Sequence, residues 1–253
     1  MQQLSIVIIT FNEEKNIFRC LDSIKGLSDD IIVVDSFSTD KTAEICAQFN
    51  VRFIQTKWEG YSATKNFANS QAKNEWVLSL DADEALSNEL CEKIDKLKSD
   101  NELSYCSFNR MTNYCGSWVK HSNWYPDKKL RLFNKNLSEW KGLIHEELNV
   151  PEGIKIKHIN QDILHYSYYT REDHLKQIDK FTSIAADDLF KKGKKPDSYK
   201  LFVNAIAKFI GHYFLHLGFL DGKAGWNIAW LSAYATYLKY KKTRCLFKHA
   251  TEV

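Results

Sequence analysis

Short apolar runs alternate with helically spaced apolar positions over the first hundred residues. Residues 4–10, Leu4-Ser-Ile-Val-Ile-Ile-Thr10, form a β-branched run of strand length, after which Ile17, Cys20, Leu21 and Ile24 recur at helical spacing. The same pairing of strand and helix follows at 31–34 with 41–49, at 51–55 with 61–72, and at 76–80 with 88–97, where Leu90, Ile94 and Leu97 mark the buried face. Four strand-helix units in succession predict a mostly parallel, doubly wound sheet.

The rhythm then changes. Runs at 103–108, 130–133 and 163–166 are separated by polar, Trp-rich stretches without comparable helices, which predicts antiparallel or mixed strands completing the sheet. From Arg171 onward helical patterns dominate, interrupted at 191–196 and at 218–222. The expected organisation is therefore a domain over 1–169 and a basic, aromatic helical extension over 170–253.

Composition adds little until it is divided along the chain. Hydrophobic residues make up 44%, charged residues 26%, and prolines number three, which excludes a disordered or collagen-like chain. The net charge of +3 hides an asymmetry: residues 190–253 hold 12 Lys/Arg against 3 Asp/Glu, while the remainder is acidic. Such a segment suits an anionic membrane surface or, equally, a helical bundle packed on the first domain with a basic exposed face; nucleic acid is not expected, because no recognition motif accompanies the charge. The six cysteines show no CxxC pair and no zinc-finger spacing, and reduced thiols are expected. No charged leader precedes the first apolar run, so a cytoplasmic chain is expected. The longest apolar stretch, 202–220, carries Asn204, Lys208, His212 and His216 and does not suit a spanning helix.

In an open parallel sheet, ligands bind beyond the carboxyl ends of the strands. Here those ends are acidic: Thr10-Phe-Asn-Glu-Glu14 after the first strand, Asp35-Ser-Phe-Ser-Thr-Asp40 after the second, and Asp81-Ala-Asp-Glu84 after the fourth. One such cluster is as readily a helix cap or a solvated loop. Three in register repel one another unless something positive is bound, and a hard divalent cation such as Mg²⁺ or Mn²⁺, which shares its shell with substrate phosphates, fits that need.

These three segments, with Ile6-Val-Ile-Ile-Thr-Phe-Asn-Glu-Glu-Lys-Asn16 and Val33-Val-Asp-Ser-Phe-Ser-Thr-Asp40 in full, resemble the successive nucleotide-binding motifs of family 2 glycosyltransferases over about the first two-thirds of the chain. The resemblance implies a GT-A fold, a Rossmann-like mixed sheet flanked by helices, here with a C-terminal helical extension. It also implies an inverting transfer from a UDP-sugar. Trp140-Lys-Gly-Leu-Ile-His-Glu-Glu147, Leu164-His-Tyr166 and Gly218-Phe-Leu-Asp-Gly222 resemble, more narrowly, bacterial β-1,4-glucosyltransferases of lipopolysaccharide inner-core assembly. That implies UDP-glucose as donor and a lipid-linked oligosaccharide as acceptor, with the enzyme peripheral on the cytoplasmic face of the inner membrane.

Carried over by position, the resemblance implies that Asp35 bonds the uracil or ribose, with Thr10, Asn12 and Glu13 lining the same pocket. Asp81 would lie near the ribose and metal, and Asp83 would bind the metal. Lys65 and Asn66 match a position near the base and phosphates, although Lys in place of Arg loses the planar fork. Inversion needs a general base, for which Glu146 is the candidate, with Glu147 and His145 as alternatives. His165 is a candidate additional metal ligand. Trp124, Tyr125 and Arg131 are candidates for acceptor binding, since sugar faces stack on aromatic rings and a phosphorylated sugar suits Arg; ordinary core packing is the competing reading. The alternative functions are an inactive membrane-associated scaffold and a sugar nucleotidyltransferase. The latter class needs a Gly-rich loop after the first strand, and the segment here is Gly-free.

Overall fold

The computed structural model describes residues 1–142 and 146–250. The chain divides into two compact units, one comprising 1–110 and 127–166, the other 111–126 and 167–253.

The first unit is built on parallel strands β1 (Leu4–Thr10), β2 (Asp30–Asp35), β3 (Arg52–Gln55) and β4 (Trp76–Asp81), arranged β3-β2-β1-β4. Every residue of β1 and β2 is buried, as expected of strands covered on both faces. Successive side chains divide between two cores. Leu4, Ile6 and Ile8 join Leu78 and Leu80 beneath α1 (Ile17–Ser23) and α4 (Asn88–Ser99), while Val7 and Ile9 join Ile32, Val34 and Val77 beneath α3 (Tyr61–Ser70). The short helix α2 (Thr42–Cys46) links β2 to β3.

Beyond β4 the pairing becomes antiparallel, as the change of rhythm predicts. β8 (Asp127–Asn134) pairs with β4, and β6 (Cys106–Tyr114) with β8; β11 (Lys157–Tyr168) and β5 (Glu84–Leu86) follow in the same sheet. β9 (Glu139–Lys141) and β10 (Glu147–Asn149) form a separate two-stranded ribbon. The fold is the mixed α/β sheet flanked by helices that the sequence implies.

The second unit carries the helices α5 (Arg171–Lys191), α6 (Ser198–Ile210) and α7 (Gly222–His249), with the short β7 (Ser117–Trp118) paired to the end of β6. A full capping box at Thr170 and Asp173 starts α5. Its small core gathers Tyr114, Val119, Ala224 and Ile228 with Trp124 and Tyr168. Between α6 and α7 the chain passes through a π-helical turn (Gly211–Leu215) and a 3₁₀ turn (Gly218–Asp221). Among the described residues no helix is long and apolar enough to cross a membrane. All six cysteines are free thiols.

Candidate functional site

Strand register brings the acidic segments together. Thr10 is level with Asp35 across β1 and β2, and Ile9 with Asp81 across β1 and β4, so three strand ends open on one edge of the sheet. The first two loops are hydrogen-bonded to each other. Asn12, in the left-handed region at φ 54°, accepts from the Thr39 amide through Oδ1 (2.8 Å), and its own amide donates to Ser38 Oγ (2.8 Å). Asp35 is fully buried and accepts from the Ser38 amide and hydroxyl and from Gln55 Nε2. Thr10 is buried, and its hydroxyl has no hydrogen-bond partner among the described residues. Glu13 accepts from Asn16 Nδ2 at 2.7 Å. Burial pushes its carboxyl up to about 7 against the effect of that bond, with Asp83, Asp40 and Asp81 adding to the rise.

At the end of β4 the carboxylates are held by a buried cation network. Arg131, from β8, reaches Asp81 Oδ2 at 2.7 Å and Glu84 Oε1 at 2.5 Å; Arg110 joins Glu84 at 3.3 Å and Asp127 at 2.6 Å. Burial alone would raise the Asp81 carboxyl, but Arg131 and then Lys65 outweigh it and hold it well below the usual carboxylate range. Arg131 is thus a buried counter-ion, 3% exposed, and not an open side chain awaiting an acceptor. The sequence offers no spacing that predicts this, because the partners lie 47 and 50 residues away. Glu84 was legible only as part of the acidic string. Its burial, its acceptance of the Asp81 amide at 3.1 Å and its two arginines make it the organiser of the β4 end.

Lys65, on α3, is 1% exposed and places Nζ 3.0 Å from Asp81 Oδ1 and 3.0 Å from Glu146 Oε1, beneath the Trp140 ring at 4.8 Å. Both functions of the Asn66 amide are taken by the Trp140 backbone, at 2.9 and 2.8 Å, so Asn66 fastens β9 to α3. Glu147 is exposed and lies in β10. His145 lies outside the described residues. Asp81, Glu146 and Trp140 share a cleft of about 630 Å³ with Arg110 and Lys129.

The antiparallel pairing of β11 with β5 sets His165 opposite Glu84 and brings its Nε2 to 3.2 Å from Asp83 Oδ2, across 82 residues of sequence. Both side chains retain access to solvent. Adjacent ligands on an octahedral ion with bonds of about 2.1 Å are separated by about 3 Å, so this pair suits one divalent cation. Among the described residues no group of three or more His, Cys, Asp or Glu is arranged to hold a metal. A cation at Asp83 and His165 would therefore complete its shell with phosphate oxygens and water, the habit of Mg²⁺ and Mn²⁺.

The remaining two candidates lie in the second unit. Trp124 is half-buried in a cluster with Tyr114, Tyr168 and His174, with ring centroids 5.8–6.0 Å away. Tyr125 follows it, also half-buried.

The acidic, cation-braced crevice lies beyond the carboxyl ends of a parallel sheet, where folds of this kind bind their ligands. Residues 5–150 match the family model described as glycosyl transferase family 2, and the chain belongs to that family: it is a glycosyltransferase. It is 32% identical over 255 residues to an uncharacterized glycosyltransferase of Rickettsia typhi, covering 96% of this chain and 87% of the relative. To the lipopolysaccharide core biosynthesis glycosyltransferase LpsC of Rhizobium meliloti it is 28% identical, covering 94% of this chain and 93% of LpsC. Among solved structures, S. aureus TarS 1-349 in complex with UDP aligns with a TM-score of 0.50 at 16% identity, covering 98% of this chain and 92% of TarS, a likeness of fold.

Proposed function

We propose that the protein is an inverting, metal-assisted glycosyltransferase that moves a hexose, with glucose from UDP-glucose as the leading donor, onto a hydroxyl of a lipopolysaccharide inner-core sugar. The observation that carries this reading is the double engagement of Lys65. Asp81 Oδ1 and Glu146 Oε1 each lie 3.0 Å from one ammonium, so they are at most twice that distance, 6.0 Å, apart. The candidate base thus stands close to the donor-side carboxylate, the two bridged by one ammonium, and an inverting displacement at an anomeric carbon needs one such base near the donor. Relatedness to LpsC supports the lipopolysaccharide acceptor.

In this reading Asp35, Thr10, Asn12 and Glu13 line the nucleoside pocket, and Asp81 stands beside the ribose and metal. Asp83 and His165 hold Mg²⁺ or Mn²⁺, which when bound offsets the charge of the departing diphosphate. Glu146 takes the proton of the attacking hydroxyl, and Lys65 fixes it in place. Arg131 and Glu84 act beneath, keeping Asp81 ionised and oriented. The segment carrying Trp124 and Tyr125 belongs to acceptor recognition, and the basic helical unit attaches to an anionic membrane surface where a lipid-linked acceptor resides.

Calorimetric titration with UDP in Mn²⁺ and in chelator tests the donor side. Metal-dependent binding is expected in the wild type and its loss in Asp83→Ala; binding indifferent to both metal and substitution overturns the assignment. A screen of UDP-sugars in the same format identifies the donor.

A further inference from the structure

Residues 209–222 join α6 to α7 and contain no Lys, Arg or Glu; their one acid is Asp221. That acid is turned inward. Its side chain is 4% exposed and accepts from the amides of Lys120 (3.1 Å) and His121 (3.0 Å), from His121 Nδ1 (2.9 Å) and from the Ser122 hydroxyl (3.2 Å). What the turn shows to solvent is mostly apolar: Phe214, Leu215, Leu217, Phe219 and Leu220 are all exposed, Leu215 to 76%, with the imidazole of His216 exposed among them.

The turn is firmly built. Leu217 holds a left-handed conformation at φ 55°, and Ser122 donates its amide to His216 O at 2.9 Å. Gly218 and Gly225 approach so closely that a Cβ on Gly225 would stand 1.8 Å from Gly218 O. Beside them, Phe209, Tyr213 and the exposed Trp226 pack with centroids 5.4–5.5 Å apart. A fixed scaffold therefore holds large apolar side chains in water, an arrangement that costs free energy.

The apolar surface continues along both helices. On α6, Phe202, Val203, Ile206 and Ile210 form one exposed stripe; on α7, Trp226, Trp230 and Tyr234 recur every fourth residue. Lys208 and Lys223, both exposed, bracket the turn.

We infer that the 209–222 turn is a membrane-insertion tip: it embeds in the interfacial layer of an anionic bilayer, with Lys208 and Lys223 at phosphate level and Trp226, Trp230 and Tyr234 among the headgroups. This rests on the membrane reading above and assigns it to a particular element. An apolar tip flanked by lysines and aromatic rings matches the layering of a bilayer surface, where amphipathic side chains reach upward to phosphate. A second copy is the weaker occupant. A two-fold contact through this tip would bring lysines toward their own counterparts, with Asp221, the one acid of 209–222, withdrawn into the fold. The basic run at 239–244 is a poorer anchor, because Lys242 donates to Asp179, Thr182 and Ser183, and Arg244 to Pro196 O.

The test is co-sedimentation of the full chain with phosphatidylcholine vesicles with and without phosphatidylglycerol. Wild-type protein is expected to bind the anionic vesicles. Leu215→Glu/Leu220→Glu, at two exposed positions, should lower the partition coefficient roughly tenfold or more with the thermal transition unchanged. In the unmutated protein, brominated acyl chains should quench part of the tryptophan fluorescence. Unchanged partition of the double variant, absence of quenching, or a wild-type dimer that the double substitution dissociates while no vesicle binding is seen would each overturn the inference. UDP binding and sugar transfer to a delipidated acceptor are measured separately, so a failure of the enzymatic reading is distinguishable from a failure of the tip.

Discussion

Lys65 Nζ lies 3.0 Å from Glu146 Oε1, joining residues 81 apart in sequence across α3 and the approach to β10. The same ammonium contacts Asp81, so one buried cation holds the two proposed site carboxylates together.

Glu146→Gln should therefore keep the geometry and remove the proton acceptor. UDP affinity is expected to stay within about twofold, while kcat falls by roughly a hundredfold or more. Lys65→Met keeps the carboxylate but frees its position, and roughly a tenfold loss of kcat is expected. Steady-state kinetics with isothermal titration of UDP separate the two, and near-normal turnover in Glu146→Gln removes it as the base.

Glu84 is the buried acceptor for two arginines, and its loss leaves both guanidinium groups short of a partner. Glu84→Ala should destabilise the first unit by about 3–5 kcal/mol, and Glu84→Gln, which keeps an acceptor for the Asp81 amide, by less. Urea denaturation of the three proteins checks the order. Equal stability of wild type and Glu84→Ala would show that the network contributes nothing net.

Gly225 cannot accept a side chain, since its Cβ would overlap Gly218 O at 1.8 Å, whereas a Cβ on Gly211 meets nothing within 4 Å. Gly225→Ala should cost about 1–3 kcal/mol or more and lower vesicle binding through disruption of the turn. Gly211→Ala should leave the thermal midpoint nearly unchanged. Differential scanning calorimetry on both variants decides the matter.

His174 is buried against Tyr114, with Nδ1 3.1 Å from the phenol oxygen, and burial pushes its imidazole down to about 4. In the unfolded chain it titrates near 6.5. Its contribution to stability is complete above that value and is lost as pH falls toward 4, because only the unfolded chain takes up the proton over that range. The difference in unfolding free energy between wild type and His174→Gln should shrink across this window. A difference independent of pH from 7 down to 4 would mean that the imidazole does not remain neutral in the fold.

Much of the architecture is legible in the sequence. The strand-helix alternation, the switch to antiparallel strands after α4 and the helical C-terminal part follow from local periodicity, which the backbone obeys wherever a buried face is continuous. The acidic strand ends were legible for the same reason, since a parallel sheet dictates where its loops emerge.

Partnership was not legible. Arg131 reads in sequence as a sugar or phosphate contact and folds as the buried counter-ion of Asp81 and Glu84. Asn66 reads as a nucleotide ligand and spends its amide on Trp140. The Asp83–His165 pair depends on the register of β11 against β5, which no local pattern specifies.

By itself, the sequence determined the strand-helix alternation of the first hundred residues, the change to antiparallel strands, the helical C-terminal part and the family, because these follow from local periodicity and motif order. Only the tertiary structure decided which charges neutralise each other and which apolar residues remain in water. Burial and ion pairing depend on contacts between residues far apart in the chain, as in Lys65 with Glu146, or in Asp221 with His121.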